Sequence, residues 1–313
     1  MSTSPAAPVS CSCCGEPLAD ERRVDVRFGL PDVALGLPEE ARRSPGPDAL
    51  LALEGAGFFV RCLLPVRLSG DTELVLGVWL EVDEETFRRA AAVWGDEAAY
   101  PELVVRGWLA NKVKPWGAEV LGAEMTGRVS DPGESPYLVE GHGPAAVRLL
   151  GEVWDRDRVL GRFPVPLPVA VRADLGDGWS VERSAGLSVR YVDGVDRFTG
   201  PDRSVDFTFF QDDRGGGRSA EDFLAVLLDG TPGVPAARQH TELLPDGGVR
   251  HAFRGTPGDT GRTRHELTGY VVEADGSTAR LFCTYEQPEQ HAWALHVWRS
   301  LRREAAAREL SPR

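Results

Sequence analysis

Apolar and polar positions alternate in short runs along most of the chain, and Gly, Pro and Asp separate the runs. This pattern predicts many strands and few helices. The clearest pair of runs is "GFFVRCLLPVRL" at 57–68 and "TELVLGVWLEV" at 72–82, with Ser69-Gly70-Asp71 between them. Two such runs joined by a short glycine-containing loop are typical of a β-hairpin, so we expect a hairpin over 57–82.

Helix signals occur at four places. Asp83 precedes two glutamates and an apolar series, and Ser219 precedes "AEDFLAVLL" with an acidic residue three positions on. Both are N-cap patterns, because a short polar side chain can accept hydrogen bonds from unpaired backbone N–H groups. A short helix is expected from Pro144 to Leu150, and helical spacing of apolar residues predicts a final helix in "PEQHAWALHVWRSLRREAAAREL".

The second half of the chain carries its own set of strand patterns. They lie near 238–244, 249–253, 264–272 and 278–285, and Asp275-Gly276 supplies a turn between the last two. If Phe253 pairs with Thr263, His251 lies directly opposite His265. We therefore expect these two histidines to be neighbours across a strand pair.

Length and proline spacing predict two domains. A chain of 313 residues suits two cores, and Pro164, Pro166 and Pro168 disfavour helix and stiffen the segment between them. We expect a disordered tail at 1–9, an N-terminal domain at 10–163, a proline-rich linker at 164–172 and a C-terminal domain at 173–313 that ends in an amphipathic helix. The predicted fold class is α+β, with mainly antiparallel sheets and a few short helices.

Charge and composition restrict the partners. A net charge of −13 argues against nucleic acid, because proteins that bind it collect Lys and Arg to neutralise phosphates. The sequence contains no run of about 18 apolar residues, so it predicts no membrane-spanning helix. Its first residues do not have the pattern of a signal peptide. Five cysteines, three of them crowded together, do not suggest a disulfide framework, so we expect the protein to lie in a reducing cytoplasm. We also expect a protein partner of unknown identity.

The crowded cysteines resemble half of a metal site. Cys11-x-x-Cys14-Gly15 is the spacing of a zinc knuckle, and a structural zinc ion takes four ligands. His142 or Cys13 could complete a mixed site, or two chains could share one ion. A redox pair and a knuckle without metal are the remaining interpretations. The other thiols, Cys62 and Cys283, lie in apolar strand patterns and are predicted core residues.

A second candidate site consists of histidines. His251 and His265, with His240 nearby in sequence, could hold a metal ion in the C-terminal domain. The competing interpretation is that histidines on strand faces are hydrogen-bonded rim residues. The sequence has no Gly-x-Ser-x-Gly elbow, His-Glu-x-x-His motif or kinase signature, which favours a non-enzymatic protein.

Several motifs follow one another in the first half of the chain: Cys11-x-x-Cys14-Gly15, "DVRFGLPD", "GFFVRCLLPVRL", "LGVWLEVDEETF", "RGWLANKV" and "EGHGPAAVRLLGEVWDRDRV". With these motifs, about residues 10–162 resemble a bacterial family known only as domain-of-unknown-function family 2199, which has no established activity to carry over. Two departures are Cys13, which stands between the paired cysteines, and His142-Gly143-Pro144, where the family has a His-Pro-Leu-like step. The second half is similar, in element order alone, to the Mog1/PsbP-like fold.

These observations lead to three functional hypotheses. The first is an uncharacterised cytoplasmic bacterial protein that binds a partner without catalysis and has a zinc-stabilised knuckle at Cys11 and Cys14. The second is a metal-dependent hydrolase that uses His251 and His265. The third is an acidic protein that neutralises a basic partner, as an immunity protein does, in which case binding should weaken as salt increases.

Overall fold

A computed structural model of the chain describes residues 10–18, 20, 22–38, 48–212, 218–229, 233–255 and 264–304. The predicted disordered tail at 1–9 lies outside these residues. Over the described residues the chain is mostly β-strand, with a few short helices and mainly antiparallel sheets. None of the described helices has the length and apolar character needed to cross a membrane.

Contacts divide the described chain into two compact units. One unit consists of the described residues from 20 to 159, and the other joins residues 10–18 to the described residues from 160 to 304. The five described α-helices are α1 (Glu84–Val93), α2 (Pro144–Gly151), α3 (Arg156–Leu160), α4 (Ala220–Leu228) and α5 (His291–Ser300).

The unit at 20–159 is built on a seven-stranded sheet that closes on itself. The hairpin strands pair with each other from Phe58 with Val82 to Leu68 with Thr72. The described pairings continue from β4 through β5, β6 and β7 and return to β3, so five strands form a ring, while β1 is added to β4 and β2 to β3. These strands are β1 (Arg23–Arg27), β2 (Leu50–Leu53), β3 (Gly57–Leu68), β4 (Thr72–Val82), β5 (Val104–Leu109), β6 (Glu124–Arg128) and β7 (Tyr137–His142).

The other unit contains two sheets. Seven antiparallel strands follow the order β10-β11-β12-β16-β15-β14-β13, and three strands follow the order β17-β9-β8. Helix α5 packs Trp293, Val297 and Trp298 into one hydrophobic core, and α4 contributes Phe223 to another. The strands are β8 (Ala170–Gly176), β9 (Trp179–Ser184), β10 (Ser188–Val192), β11 (Val195–Thr199), β12 (Arg203–Gln211), β13 (Gln239–Leu243), β14 (Val249–Arg254), β15 (His265–Val272), β16 (Ser277–Tyr285) and β17 (Arg302–Arg303).

Several local predictions are confirmed. The hairpin forms over 57–82, and its loop places Gly70 at φ +74° and Asp71 at φ +53°. The Asp83 carboxylate accepts from the Thr86 N–H at 2.6 Å, and the Ser219 hydroxyl accepts from the Asp222 N–H at 3.1 Å. The four strand patterns of the second half correspond to β13, β14, β15 and β16.

The ends of two predicted elements differ. Strand β8 begins at Ala170, inside the predicted linker at 164–172. The final helix ends at Ser300, and Arg302 and Arg303 pair with β9 as a short strand. The remainder of the amphipathic pattern, from residue 305, lies outside the described residues.

The cysteine segment packs differently from the prediction, which placed it in the N-terminal domain. Cys11 and Cys13 are buried in the same hydrophobic core as Trp179 and Val181 of β9. Burying weakly polar thiols against apolar side chains removes both from water, so the segment at 10–18 folds as part of the unit formed by residues 160–304.

Candidate functional site

The segment at 10–18 forms a tight turn around its first and last cysteines. The Cys11 N–H donates to the Glu16 carbonyl at 2.9 Å, and the Gly15 N–H donates to the Cys11 carbonyl at 2.8 Å. Gly15 adopts φ +76°, a conformation that glycine reaches without steric penalty. The turn brings the Cys11 and Cys14 side chains close enough to change each other's pKa.

Hydrogen bonding makes the two thiols of this turn unequal. The bond from Cys14 lowers the pKa of Cys11 to about 6, and backbone N–H groups of Cys14 and Cys13 add to the effect, although burial opposes it. The same hydrogen bond raises the pKa of Cys14 far above its ordinary range, and burial adds to that shift. Near neutral pH the pair therefore holds one thiolate, on Cys11, and one thiol, on Cys14.

The third cysteine of the segment has a different environment. Cys13 is 2% exposed, and its sulfur lies 3.4 Å from the Ser184 hydroxyl oxygen. Burial raises the pKa of this thiol to about 12, so it stays protonated. Cys62 and Cys283 are also fully buried, which confirms their prediction as core residues, and burial raises the pKa of each.

Polar side chains of the same unit lie around the thiol pair. His296 contributes positive potential that favours the Cys11 thiolate, and its Nε2 lies 3.0 Å from a Glu182 carboxylate oxygen. Arg183 is 4% exposed, and its guanidinium lies 4.5 Å from the centre of the Phe198 ring. No group of three or more His, Cys, Asp or Glu side chains that could hold a metal ion occurs among the described residues.

His142, the predicted third ligand, lies on β7 in the unit at 20–159, whereas Cys11 and Cys14 belong to the other unit. Its Nε2 lies 3.1 Å from the Thr126 hydroxyl on the neighbouring strand β6, and its Nδ1 lies 4.0 Å from Glu140. The hydrogen bond of Nε2 holds the His142 ring against the neighbouring strand of its own sheet. A role for His142 as a zinc ligand stays a prediction.

The expected pairing of His251 with His265 is wrong. Strands β14 and β15 pair Phe253 with Thr268 instead of Thr263, so His251 lies opposite Tyr270. His251 is buried, and its Nδ1 lies 2.8 Å from the Thr241 hydroxyl oxygen. Burial also lowers the pKa of His251. The register that forms sets Val249 opposite Val272, and both side chains are buried in one hydrophobic core, so burial of apolar surface favours this register.

His265 joins a different group of aromatic and imidazole rings. It stacks on Tyr285 with a centroid distance of 5.5 Å, and the Tyr285 hydroxyl lies 3.0 Å from His291 Nδ1. The His240 ring lies 6.2 Å from His291, and burial lowers the pKa of His291 to about 4. This arrangement keeps His291 neutral and hydrogen-bonded. Pairing of β13 with β14 and of β14 with β15 places His240 and His265 on the same face of the sheet, which alternation within each strand does not show by itself.

The sequence interpretation also missed a buried arginine of the other unit. Arg61 lies in the middle of β3, where strand alternation in "GFFVRCLLPVRL" gave no reason to separate it from exposed arginines. It is 6% exposed and donates to the carbonyl groups of Phe28 and Gly29. A long charged side chain inside an apolar run is the signal that could have identified it.

Comparison with known proteins finds a family model that matches part of this chain. Residues 10–142 match the model of a family described as uncharacterized protein conserved in bacteria (DUF2199). The resemblance indicated by the sequence motifs is therefore confirmed over these residues. The likeness of the second half to the Mog1/PsbP-like fold stays a prediction. No curated protein matches the chain.

Proposed function

Since residues 10–142 match the model of a bacterial family of uncharacterized proteins, we propose a function from the chemistry of the chain itself. The chain is a non-enzymatic protein that binds a partner protein, and its cysteine knuckle holds a zinc ion. The observation that supports this proposal is the turn at 10–18, where backbone N–H groups and a neighbouring thiol already stabilise negative charge on the Cys11 sulfur.

Zinc prefers thiolate ligands, and a sulfur that is already a thiolate has no proton for the metal to displace. Cys11 is the thiolate of the pair, so only Cys14 must lose a proton; the Cys11 side chain raises the pKa of Cys14, and the backbone N–H of Glu16 offsets part of that rise. The two thiolates supply two of the four ligands of a tetrahedral ion. Water or donor atoms of the bound partner supply the remaining two.

The metal experiment uses the full chain, purified without a polyhistidine tag. Elemental analysis of the wild type should give zinc, and Cys14→Ser should lose it together with a lower melting temperature. Cys13→Ser is the matched control, because it changes the adjacent thiol that contacts Ser184 and leaves the pair intact. Equal metal content in Cys14→Ser and the wild type contradicts the zinc proposal, as does a wild type without metal after refolding with excess zinc.

We also propose the cytoplasm as the compartment. All five cysteines are free thiols, two of them sit in one turn, and a reducing environment keeps such a pair from oxidising. Fractionation of the bacterium with an antibody against the chain tests this assignment. Recovery of the chain in the periplasmic or membrane fraction contradicts it.

A further inference from the structure

A cavity of about 540 Å³ opens in the unit at 20–159, on one face of its sheet. Its floor consists of side chains from β1, β3 and β4, and its walls include Trp94, Tyr100 and the loop at 132–135. The volume lies within the range of pockets that hold small organic molecules. All the residues that line it fall inside the segment that matches the family model, 10–142.

Gly77 of β4 forms part of the floor. It pairs with Leu63 on one side and with Arg27 on the other. A Cβ atom at this position would lie 3.4 Å from the Arg27 Cγ atom, so the Arg27 side chain lies directly beside Gly77. The cavity thus has an arginine along one border and an apolar surface beside it.

Arg61, the second arginine of the cavity, is buried, and its guanidinium group forms no ion pair with a carboxylate among the described residues. Its two Nη atoms donate to the carbonyl oxygens of Phe28 and Gly29 at 2.9 and 3.3 Å, and its guanidinium lies 4.3 Å from the centre of the Trp79 ring. Its Nε is buried and has no hydrogen-bond partner among the described residues. Burial, together with the positive charge of Arg27, lowers the pKa of Arg61 to about 10.

The charged side chains of the cavity are unevenly distributed. The lining holds three arginines and three carboxylates, so it is neutral as a whole. Two of the carboxylates, Asp25 and Glu134, lie 3.0 and 3.5 Å from Arg23. Asp48 is therefore the one lining carboxylate that remains for Arg27 and Arg61, and it favours the charged form of Arg61. An unpaired buried charge is destabilising unless an opposite charge approaches it.

We propose that this cavity binds a small organic carboxylate. The carboxylate lies between Arg61 and Arg27, because the planar guanidinium group of arginine matches the two oxygens of a carboxylate. The apolar or aromatic body of the ligand lies against the wall that contains Trp94 and Tyr100. This site is separate from the cysteine knuckle, so either proposal can fail without the other.

Binding is tested with the full chain, benzoate and hexanoate as probes, and benzamide as the uncharged counterpart of benzoate. Quenching of tryptophan fluorescence and a rise in melting temperature should follow addition of either carboxylate, and benzamide should have no effect. Inorganic phosphate should bind more weakly than benzoate, because it has no apolar body. The absence of binding by both carboxylates overturns the proposal, as does equal binding of benzoate and benzamide or of benzoate and phosphate.

Matched variants test whether Arg27 contributes to the binding of benzoate. Arg27→Gln should weaken benzoate binding about tenfold or more, which is the loss expected when a charged hydrogen-bonding partner is removed. Arg27→Lys keeps the charge and should recover part of that loss. Arg22→Gln is the control, since Arg22 is exposed beside β1 and does not line the cavity. Equal effects of Arg27→Gln and Arg22→Gln overturn the assignment. Arg27 is itself exposed, so the ligand-free melting temperature should not change.

Discussion

Cys11 and Cys14 titrate differently within one turn of six residues: the Cys14 side chain lowers the pKa of Cys11, and the Cys11 side chain raises the pKa of Cys14. This relationship gives different pKa values to two thiols that are three positions apart and identical in chemistry. It also ties their ionisation to folding, because the turn exists only in the folded chain.

The lowered pKa of Cys11 predicts how stability depends on pH. Cys11 has a pKa of about 6 in the folded chain and an ordinary value of 9.0, so the unfolded chain holds more protons between these values. Its contribution is therefore fully present above pH 9 and is lost as the pH falls toward 6. The raised pKa of Cys14 acts in the opposite direction above pH 9. Urea unfolding of the metal-free protein should show stability that rises with pH over this window.

Cys11→Ser separates this effect from other titrating groups, because serine does not ionise in the same range. The difference in unfolding free energy between the wild type and Cys11→Ser should grow as the pH rises from about 6 to about 9. A difference that is constant with pH would show that Cys11 keeps an ordinary pKa in the folded chain.

Asn111 is the next predicted point of sensitivity. It is fully buried, its side-chain oxygen accepts from the Trp79 N–H at 2.8 Å, and its amide donates to the Leu30 carbonyl at 2.9 Å. Asn111→Ala leaves both backbone groups without a partner, which should lower the unfolding free energy by about 3 kcal/mol. Chemical denaturation measures this loss.

The matched control for Asn111 is its neighbour. Lys112 is exposed, and only its backbone N–H bonds to Asp32. Lys112→Ala should therefore change stability by less than about 0.5 kcal/mol. Similar losses from Asn111→Ala and Lys112→Ala would mean that the buried hydrogen bonds contribute no more than an exposed side chain.

Close packing of α5 on the sheet gives a third prediction. Gly269 of β15 lies beneath Trp298, and a Cβ atom there would lie 2.6 Å from the Trp298 ring. Gly269→Ala should lower the unfolding free energy by about 1–3 kcal/mol, because the tryptophan or the strand must shift. Gly233→Ala is the control, since the space around Gly233 is open to 4 Å. Thermal denaturation of both variants compares them, and an unchanged Gly269→Ala protein would contradict the packing.

Local structure could be predicted from the sequence where neighbouring residues determine it. The hairpin over 57–82 and the caps at Asp83 and Ser219 depend on residues within a few positions of each other. Strand alternation also located β13 to β16, because each has an apolar face to bury. These features require no knowledge of which strands become neighbours.

The remaining features depend on pairings between distant residues, which one sequence does not specify. His251 could have faced His265 or Tyr270 with the same apolar pattern, and the register that forms is the one that sets Val249 opposite Val272 in a hydrophobic core. The pairing of β1 with β4 places Arg27 in the same cavity as Arg61, and this proximity is visible only in the folded chain. The candidate chemistry of this protein was therefore predictable at Cys11 and Cys14, which are close in sequence, and not at the arginine cavity.

The packing of the cysteine segment on β9 has a consequence for synthesis. Cys13 and its partner Ser184 are 171 positions apart, so a ribosome releases the segment long before it makes the strand that covers it. The unit at 20–159 can complete its own contacts in that interval, whereas the unit that includes β9 must wait for both of its parts. A shortened gene that starts at residue 160 would produce β9 with Trp179 and Val181 lacking the thiols that pack against them.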